Sequence, residues 1–395
     1  MNNKKDFAMG FIIGMAVMIL CIIGYGIYDT QVRWDGGMSP NRKVREIYSR
    51  VSNHSILPFD RAEMIENMYR GLLAGVGDPY TRYFDLESLE VFRTRTQGVF
   101  VGIGVRVVMD PNDHMLTFVN VFRDSPAGQA GLLPGDKVIS VDGLDMMGRS
   151  QQEILDFIRG PAGTNVNISI LRPYESKIFD VDIIRSHITV PTVHHEMIQT
   201  DAGLTGYVRI EGFEEPTYAQ FAAALAELTY KGMDSLIVDV RNNPGGLLDS
   251  VVAIADLLIP EGNVTFLEDA NGRRRYHNSD YSYLGIPLVV LINERSASAS
   301  EVLGGAVQDT GVGVLVGEQT FGKGIVQSIF ELSDGTAIKL TIAQYFTPEG
   351  NPVHDVGLTP DFVVEMDETH SRMIGELELA DDPQLQMALR VVRLR

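Results

Sequence analysis

Continuous apolar runs alternate with helical patterns through the second half of the chain, and no other feature restricts the fold as strongly. The predicted strands are Gly206 to Ile210, Ser235 to Val240 and Pro287 to Asn293, and the predicted helices are Tyr218 to Tyr230 and Leu248 to Leu258. A strand that is apolar at nearly every position is buried on both faces, as in a parallel sheet covered by helices. We therefore expect an α/β domain from about Ile188 onward.

Shorter strands precede this domain, between about Gly98 and Arg185. The predicted strands are Gly98 to Val108, Leu116 to Phe122, Lys137 to Val141, Asn165 to Leu171 and Phe179 to Ile184, with one helix at Gln151 to Ile158. Short alternating runs separated by Gly, Pro and Asp are typical of a small, mostly β module. We expect this module to be a separate domain.

A helical lead-in precedes the β module. It follows a linker at Asp35 to Asn41 that contains glycine and proline. The clearer of its two predicted helices begins with Asp60 and Glu63 at the spacing of a capping box, and apolar residues recur every four positions along one face. We expect five regions: residues 1–32 as cytoplasmic N-terminus and transmembrane anchor, 33–92 as linker and helical lead-in, 93–186 as the β module, 187–367 as the α/β core and 368–395 as an acidic C-terminal tail.

The first part of the chain predicts a membrane anchor. From Phe7 to Tyr28 the residues are apolar or small and uncharged, and about 20 such residues in a helix span a hydrocarbon core. Lys4 and Lys5 precede the run, so the positive-inside tendency places everything after it on the outer side. The alternatives are a cleaved signal peptide and a buried core helix. No small-x-small cleavage site follows the run, which favours an anchor.

Charge and cysteine content exclude several functions. The formal net charge is −19, and no basic stripe reverses it locally, so nucleic acid is not an expected partner. The single cysteine, Cys21, lies in the apolar run. No intrachain disulfide, paired-cysteine zinc site or cysteine nucleophile is therefore expected in the rest of the chain.

Three serines follow the apolar strand Pro287 to Asn293, at the point where a helix begins. A nucleophile is often found at such a junction, because the loop exposes a hydroxyl and the free N–H groups of the first helical turn can stabilise an oxyanion. Ser298 and Glu301 also have the spacing of a capping box, so these serines could equally be helix caps. By spacing alone, Ser296, Ser298 or Ser300 could be the nucleophile.

A lysine is the candidate base, because the histidines form no HExxH motif and none lies beside a recognisable nucleophile motif. A lysine can take a serine proton when burial or a positive dipole lowers its pKa. Lys323 lies between two glycines at the start of an apolar run that predicts a strand. In a strand, residues 323, 325 and 327 share one face, so Gln327 could orient the amine. The alternative is a surface lysine in a glycine turn.

A glycine pair follows the predicted strand Ser235 to Val240. Gly245 and Gly246 end the sequence Arg-Asn-Asn-Pro-Gly-Gly, directly before a predicted helix. Glycines at such a turn allow close approach to backbone N–H groups, as an oxyanion hole requires. The same sequence is also that of an ordinary tight turn between a strand and a helix.

These three segments, in this order, resemble the carboxyl-terminal processing peptidases, a family of Ser/Lys proteases. The motifs that carry the resemblance are Gly77 to Phe84, Gly206 to Ile210, Arg241 to Gly246, Ser296 to Glu301, Gly322 to Gly324, Tyr345 to Gly350 and Gly357 to Asp361. They extend over most of the chain after the predicted anchor. The resemblance implies an α/β core of the Clp and crotonase type with an inserted mostly-β PDZ domain. Together with the N-terminal helical segment and the single transmembrane anchor that the residues predict, this is the expected fold.

The resemblance also implies roles for individual residues. The nucleophile falls on Ser298, the base on Lys323, the orienting glutamine on Gln327, and the oxyanion hole on the N–H of Ala299 and that of Gly245 or Gly246. No metal or cofactor is implied. In the PDZ domain, which is matched in Gly98 to Val105 and Ser125 to Asp136, the loop that captures a peptide carboxylate falls on Val101, Gly102, Ile103 and Gly104. In this family a PDZ domain selects substrates and can restrain or activate the protease.

We therefore expect a serine endopeptidase, anchored in the cell membrane by one N-terminal helix with its catalytic part on the extracytoplasmic side. Its substrates would be proteins or peptides with accessible C-termini. A homodimer through the helices at Arg42 to Val76 and an activating partner protein are further expectations. Two other classes compete with this one. The first is a non-catalytic PDZ scaffold, which would give the Ser/Lys pair no function. The second is a crotonase-type acyl-CoA enzyme, and the PDZ domain and the membrane anchor argue against it.

Overall fold

The computed structural model describes residues 15, 18, 40–200, 203–280 and 283–394. The predicted anchor at Phe7 to Tyr28 and nearly all of the predicted linker lie outside these ranges, apart from single positions. Within the ranges, no helix is long and apolar enough to cross a membrane. The chain divides into two compact units, Met1–Tyr69 and Arg70–Arg395.

The first unit contains the predicted helices of the lead-in. Helix α1 is Pro40–His54, and helix α2, Arg61–Ala74, begins in this unit and continues into the second. The carboxylate of Asp60 accepts the N–H of Ala62 at 2.7 Å and that of Glu63 at 3.2 Å. Asp60 therefore caps α2, as the sequence predicts.

Chain order in the second unit is as follows. The first elements are β1 (Arg82–Phe84), α3 (Leu86–Gln97), β2 (Val99–Gly102), β3 (Val105–Met109), β4 (Leu116–Val121), α4 (Pro126–Gln129), β5 (Lys137–Val141), β6 (Leu144–Asp145), α5 (Gln151–Ile158), β7 (Asn165–Arg172), β8 (Lys177–Ile184) and β9 (Ser186–Thr189). The remaining elements are β10 (Val193–Thr200), β11 (Gly203–Ile210), α6 (Thr217–Tyr230), β12 (Ser235–Asp239), α7 (Leu248–Leu258), β13 (Gly262–Asp269), β14 (Arg274–Ser279), β15 (Leu288–Ile292), α8 (Ala299–Asp309), β16 (Gly313–Gly317), β17 (Ile325–Glu331), β18 (Ala337–Phe346), β19 (Phe362–Val363), α9 (Glu368–Arg372) and α10 (Pro383–Val392).

The β module is an antiparallel sheet in the order β3-β4-β5-β7-β8, with β6 paired to β5. Its core is formed by apolar residues that alternate along the strands and by the buried face of α5. The single strand predicted from Gly98 to Val108 is two strands, because the chain turns at Ile103 and Gly104, where Gly104 has φ 87°. Strand β2 pairs with β9 instead of continuing into β3.

The α/β core is built on a six-stranded sheet in the order β10-β11-β12-β15-β16-β19. Only the first pair, β10 and β11, is antiparallel. Every residue of β12 and β15 is buried, which agrees with their continuous apolar sequences. Helices α6, α7 and α8 cover one face of this sheet.

Helix α10 covers the other face of the sheet. Its residues Leu385, Ala388, Val391 and Val392 are buried in one cluster with side chains of β11, β12, β15 and β16. The segment 368–395, expected to be an acidic tail, thus contains a helix that packs on the sheet of the α/β core.

A second sheet joins the lead-in to the core. It has the order β1-β18-β13-β14, with β17 also paired to β18. Strand β1 runs antiparallel to β18, with Arg82 opposite Lys339. Only helices were predicted in the lead-in, yet β1 contributes a strand here and brings the segment before it close to the start of β17.

Candidate active site

Ser298 lies between the end of β15 and the first residue of α8. Its backbone has φ 56° and ψ −114°, a conformation that costs energy in a residue other than glycine and is often found at functional sites. Ser296 and Ser300 are fully buried, and their hydroxyls donate to the carbonyl oxygens of Val240 at 2.8 Å and Asn243 at 2.9 Å. Of the three serines, only Ser298 is partly exposed.

Glu301 connects the serine segment to the lysine segment. Its fully buried carboxylate accepts the N–H of Ser298 at 2.8 Å, which is the carboxylate half of the predicted capping box. The same carboxylate accepts the N–H of Lys323 at 2.9 Å and that of Gly322 at 2.7 Å. The hydroxyl of Thr320 donates to it as well, at 2.6 Å. The sequence indicates only the capping partner, because the other three donors lie about 20 residues further along the chain.

Tyr345 on β18 makes a second connection between the two segments. Its buried hydroxyl lies 2.9 Å from the carbonyl oxygen of Ser298 and 2.7 Å from that of Lys323. At Gly324, any side chain would overlap the backbone nitrogen of His354, so the lysine loop can pack this closely only with glycine. The backbones of Ser298 and Lys323 are therefore held in a fixed relation.

The amine of Lys323 is partly buried. Burial lowers the pKa of Lys323, while the negative charges of Asp78 and Glu301 oppose that change. Lowering is the direction that a general base needs, because only the neutral amine can take a proton.

The amine of Lys323 faces an aromatic ring. Its Nζ lies 4.6 Å from the ring centroid of Tyr80. No hydrogen bond joins Nζ to Ser298 or to Gln327 in the part of the chain that the structure describes. The predicted orientation of the amine by Gln327 is therefore not seen in this state.

A β-bulge in β17 changes the strand geometry that the sequence predicted for Gln327. The strand begins at Ile325, after Lys323, and the register of β17 against β18 shifts between Val326 and Gln327. The bulge breaks the simple alternation that would place residues 323, 325 and 327 on one face. Among the described residues, Nε2 of Gln327 is buried and has no hydrogen-bond partner.

The turn before α7 packs directly against Ser298. Gly245 has φ 101°, and a Cβ there would lie 2.7 Å from Cβ of Ser298. The N–H of Gly245 donates to the side-chain oxygen of Asn243 at 2.9 Å. In the described ranges, the N–H groups of Gly246 and Ala299 have no partner. Of the two glycines that the sequence left open, Gly246 is thus the one with a free donor.

Buried polar groups hold this turn in place. The side-chain amide of Asn243 donates to the carbonyl oxygen of Ile210 at 2.9 Å. Arg241 is fully buried between Asp239 and Asp382, with N–O distances of 2.6 and 2.8 Å. Because Asp382 precedes α10, the C-terminal helix helps to fix the turn beside Ser298.

The predicted carboxylate loop of the β module has two free donors. Val101 and Gly102 lie in β2, opposite His187 and Ser186. The N–H groups of Ile103 and Gly104 have no partner among the residues described, and Ile103 is buried. Strand β3 follows, and among the strands that the structure describes it pairs only with β4, which leaves its other edge open. An extended peptide could add to such an edge.

The described residues contain no group of three or more His, Cys, Asp or Glu side chains that could hold a metal ion. The chemical groups on the linked segments of Ser298 and Lys323 and on the neighbouring glycine turn are a hydroxyl, an amine of lowered pKa and free backbone N–H groups. This set is suited to acyl transfer.

Comparison with known proteins gives consistent matches. Residues 204–364 match peptidase family S41, and residues 117–172 match a PDZ domain. The chain is 36% identical over 330 residues to the carboxy-terminal-processing protease of Bartonella bacilliformis, covering 81% of this chain and 74% of that protein. It is 34% identical over 347 residues to carboxy-terminal processing protease CtpB of Bacillus subtilis, covering 87% of this chain and 72% of the relative. The chain also resembles a crystal structure of a protein from Bacteroides fragilis that is described as an S41 protease. The TM-score is 0.57 at 15% identity, and the match covers 91% of this chain and 98% of that one. This match shows that the two proteins share a fold.

Proposed function

The chain belongs to peptidase family S41, the carboxyl-terminal processing proteases, and from this premise we propose that Ser298 is its nucleophile and Lys323 its general base. The chain is a serine peptidase with a PDZ domain. The observation that carries the proposal is the position of Glu301, whose one carboxylate binds the backbone N–H groups of both Ser298 and Lys323.

The reaction would be acyl transfer in two steps. Neutral Lys323 takes the proton of the Ser298 hydroxyl as its oxygen attacks the scissile carbonyl carbon, and the resulting ammonium returns the proton to the leaving amine. The N–H groups of Ala299 and Gly246 stabilise the oxyanion. A water then cleaves the acyl-enzyme, with Lys323 again as the base.

Gln327 would orient the amine of Lys323 when substrate is bound. Hydrogen bonds between catalytic groups are often absent or long in a free enzyme and shorten in the substrate complex. Gln327 would orient the amine by accepting one of its N–H groups at the side-chain oxygen, because the lone pair of the amine must stay free to take the serine proton.

Substrate recognition would begin at the PDZ domain. The C-terminus of a substrate adds to the open edge of β3, and its carboxylate binds the free N–H groups of Ile103 and Gly104. The neighbouring Val101 and Gly102 shape the loop. Docking there delivers the rest of the substrate chain to Ser298.

We also propose a cellular setting for this reaction. The uncharged run from Phe7 to Tyr28 would anchor the enzyme in the cell membrane, with Lys4 and Lys5 on the cytoplasmic side and the catalytic part on the extracytoplasmic side. The helices at Arg42 to Val76 would support a homodimer, and a partner protein would activate cleavage.

Purified full-length chain in mild detergent tests the proposal, compared with its Ser298→Ala variant. Both are incubated with casein, an unfolded protein, and the products are read by mass spectrometry. A fluorophosphonate probe, which acylates activated serines, is applied in parallel. We expect cleavage and probe labelling with the parent chain and neither with Ser298→Ala.

The matched control is Ser300→Ala, since its hydroxyl is buried on Asn243. This variant should still be labelled at position 298. Equal cleavage by the parent and Ser298→Ala would contradict the choice of nucleophile. Absence of both cleavage and labelling in the parent, with and without added C-terminal peptide, would contradict a peptidase function.

A further inference from the structure

The motif Gly77 to Phe84 has no role in the proposed reaction, although it lies beside the base. Asp78 fixes its conformation. One carboxylate oxygen accepts the N–H of Tyr80 at 3.0 Å, and the other accepts the hydroxyl of Thr81 at 2.6 Å. The segment is therefore a rigid turn before β1.

A hydrogen bond between distant residues connects this turn to the sheet that contains β17 and β18. The hydroxyl of Thr341 on β18 donates to Asp78 at 2.7 Å. Thr341 is the register partner of Gln327 on β17. The turn is thus fixed against the strand pair that carries the segment of Lys323.

This placement brings the partly buried ring of Tyr80 to the amine of Lys323, with 4.6 Å between Nζ and the ring centroid. The distance is within the range of a cation–π interaction. No other group of the described chain forms a hydrogen bond or ion pair with Nζ. The ring is thus the partner that the structure provides for the amine.

An aromatic face suits the two states of a lysine base. Before attack the amine must be neutral, and an apolar cover disfavours its charged form. After it takes the serine proton the amine is an ammonium, which the negative face of a ring stabilises. One side chain can thus exclude water from the amine and stabilise the charge that develops on it.

We propose that Tyr80 is a positioning residue for Lys323, whose ring holds the amine at the active site and stabilises its ammonium form during acylation. This inference rests on the proposed role of Lys323 as the base. It gives the motif Gly77 to Phe84 a function in the reaction.

Other charged or titratable groups also surround the amine. Asp78 before β1 and Glu301 on α8 favour the ammonium form. Lys339 on β18 also interacts electrostatically with Lys323, Asp355 interacts with Tyr80, and the hydroxyl of Tyr345 contacts the carbonyl oxygen of Lys323. The variants that test the proposal leave all of these groups unchanged.

The test compares Tyr80→Phe, which keeps the ring, with Tyr80→Leu, which keeps an apolar cover and removes the ring. Full-length chains in detergent are acetylated with acetic anhydride over a pH series, and mass spectrometry gives the pH at which Lys323 is half-labelled. We expect this pH to be unchanged in Tyr80→Phe and about one unit lower in Tyr80→Leu, because the ammonium loses its cation–π partner. Tyr230→Leu, at an exposed ring, is the control and should change nothing.

An unchanged or higher half-labelling pH in Tyr80→Leu would overturn the proposal. If Tyr80→Leu does not fold, a ring-fluorinated phenylalanine at position 80 replaces it. Fluorination weakens the negative ring face while nearly preserving its shape, and should lower the same pH relative to Tyr80→Phe.

Cleavage kinetics supply an independent measurement. Tyr80→Leu should lose at least about tenfold in kcat with KM within about twofold, and Tyr80→Phe should retain most of the parent rate. An equal loss in both variants would contradict a role for the ring face. Acetylation of Lys323 does not depend on cleavage of a substrate. It therefore tests the contact between Tyr80 and Lys323 separately from the proposed function, even if Ser298→Ala still cleaves casein and the proposed function fails.

Discussion

Glu301 accepts the backbone N–H of Lys323 at 2.9 Å, although 22 positions separate the two residues in the chain. The same carboxylate accepts the N–H of Ser298. A fully buried carboxylate needs several donors to offset its lost hydration, and Glu301 obtains them from both segments of the site. The geometry of the proposed nucleophile and base therefore depends on this carboxylate together with the hydroxyl of Tyr345.

Replacing Glu301 with glutamine should separate the two segments. The side-chain amide of Glu301→Gln would direct its NH₂ group at backbone N–H groups that now donate to a carboxylate. We therefore expect kcat to fall about 100-fold. We expect the free energy of unfolding in urea to fall by about 3 kcal/mol. Glu349→Gln, at an exposed glutamate, is the matched control. Full activity of Glu301→Gln would contradict the connecting role.

The lowered pKa of Lys323 predicts how stability depends on pH. Because burial disfavours the charged amine, the unfolded chain binds a proton more tightly at this position than the folded chain does. The resulting penalty is fully present below the folded pKa and disappears as pH rises to the ordinary pKa of a lysine. Lys323→Met should therefore be inactive, yet more stable than the parent at neutral pH.

Urea unfolding of the parent and Lys323→Met at several pH values checks this prediction. The difference in their free energies of unfolding should shrink as pH rises from neutral toward the ordinary lysine pKa. A constant difference would mean that the lysine pKa is not lowered.

The ion pair between Arg241 and Asp382 predicts that α10 supports the active site. Asp382→Asn can still cap α10 through its side-chain oxygen, but it leaves the buried guanidinium without one of its two charges. We expect a loss of about 3 kcal/mol in the free energy of unfolding and lower activity. Asp381→Asn, at the exposed neighbouring position, should change stability by less than about 0.5 kcal/mol. Equal stability of the two variants would contradict this role.

The loop of the PDZ domain that is proposed to bind the peptide carboxylate should require glycine at position 104. At Gly104, φ is 87° and a side chain would overlap Ser125, so Gly104→Ala should displace the free N–H groups. We expect the affinity for a peptide with a free C-terminus, measured by calorimetry, to fall at least about tenfold. This corresponds to a loss of about 1.4 kcal/mol in binding free energy. Gly143→Ala is the control, because φ there is 76° but the space is open. Equal binding of a C-terminally amidated peptide by the parent would contradict carboxylate capture.

The sequence determined several elements of the fold. The helices Gln151–Ile158 and Leu248–Leu258 and the strand Lys137–Val141 have the bounds that their patterns predict. Periodicity, caps and turn residues act over a few neighbouring positions, so they can be recognised without the rest of the chain. The motifs also indicated the serine peptidase family and its PDZ domain, which the comparisons confirm.

Only the tertiary structure decided how these elements meet at the site. It distinguished Ser298 from the buried Ser296 and Ser300, and it placed the ring of Tyr80 on Lys323. The hydrogen bond from Thr341 to Asp78 depends on the register of β1 against β18, and the position of Gln327 depends on the bulge in β17. Register and bulges are set by packing between strands that are far apart in the chain, and no local pattern specifies them.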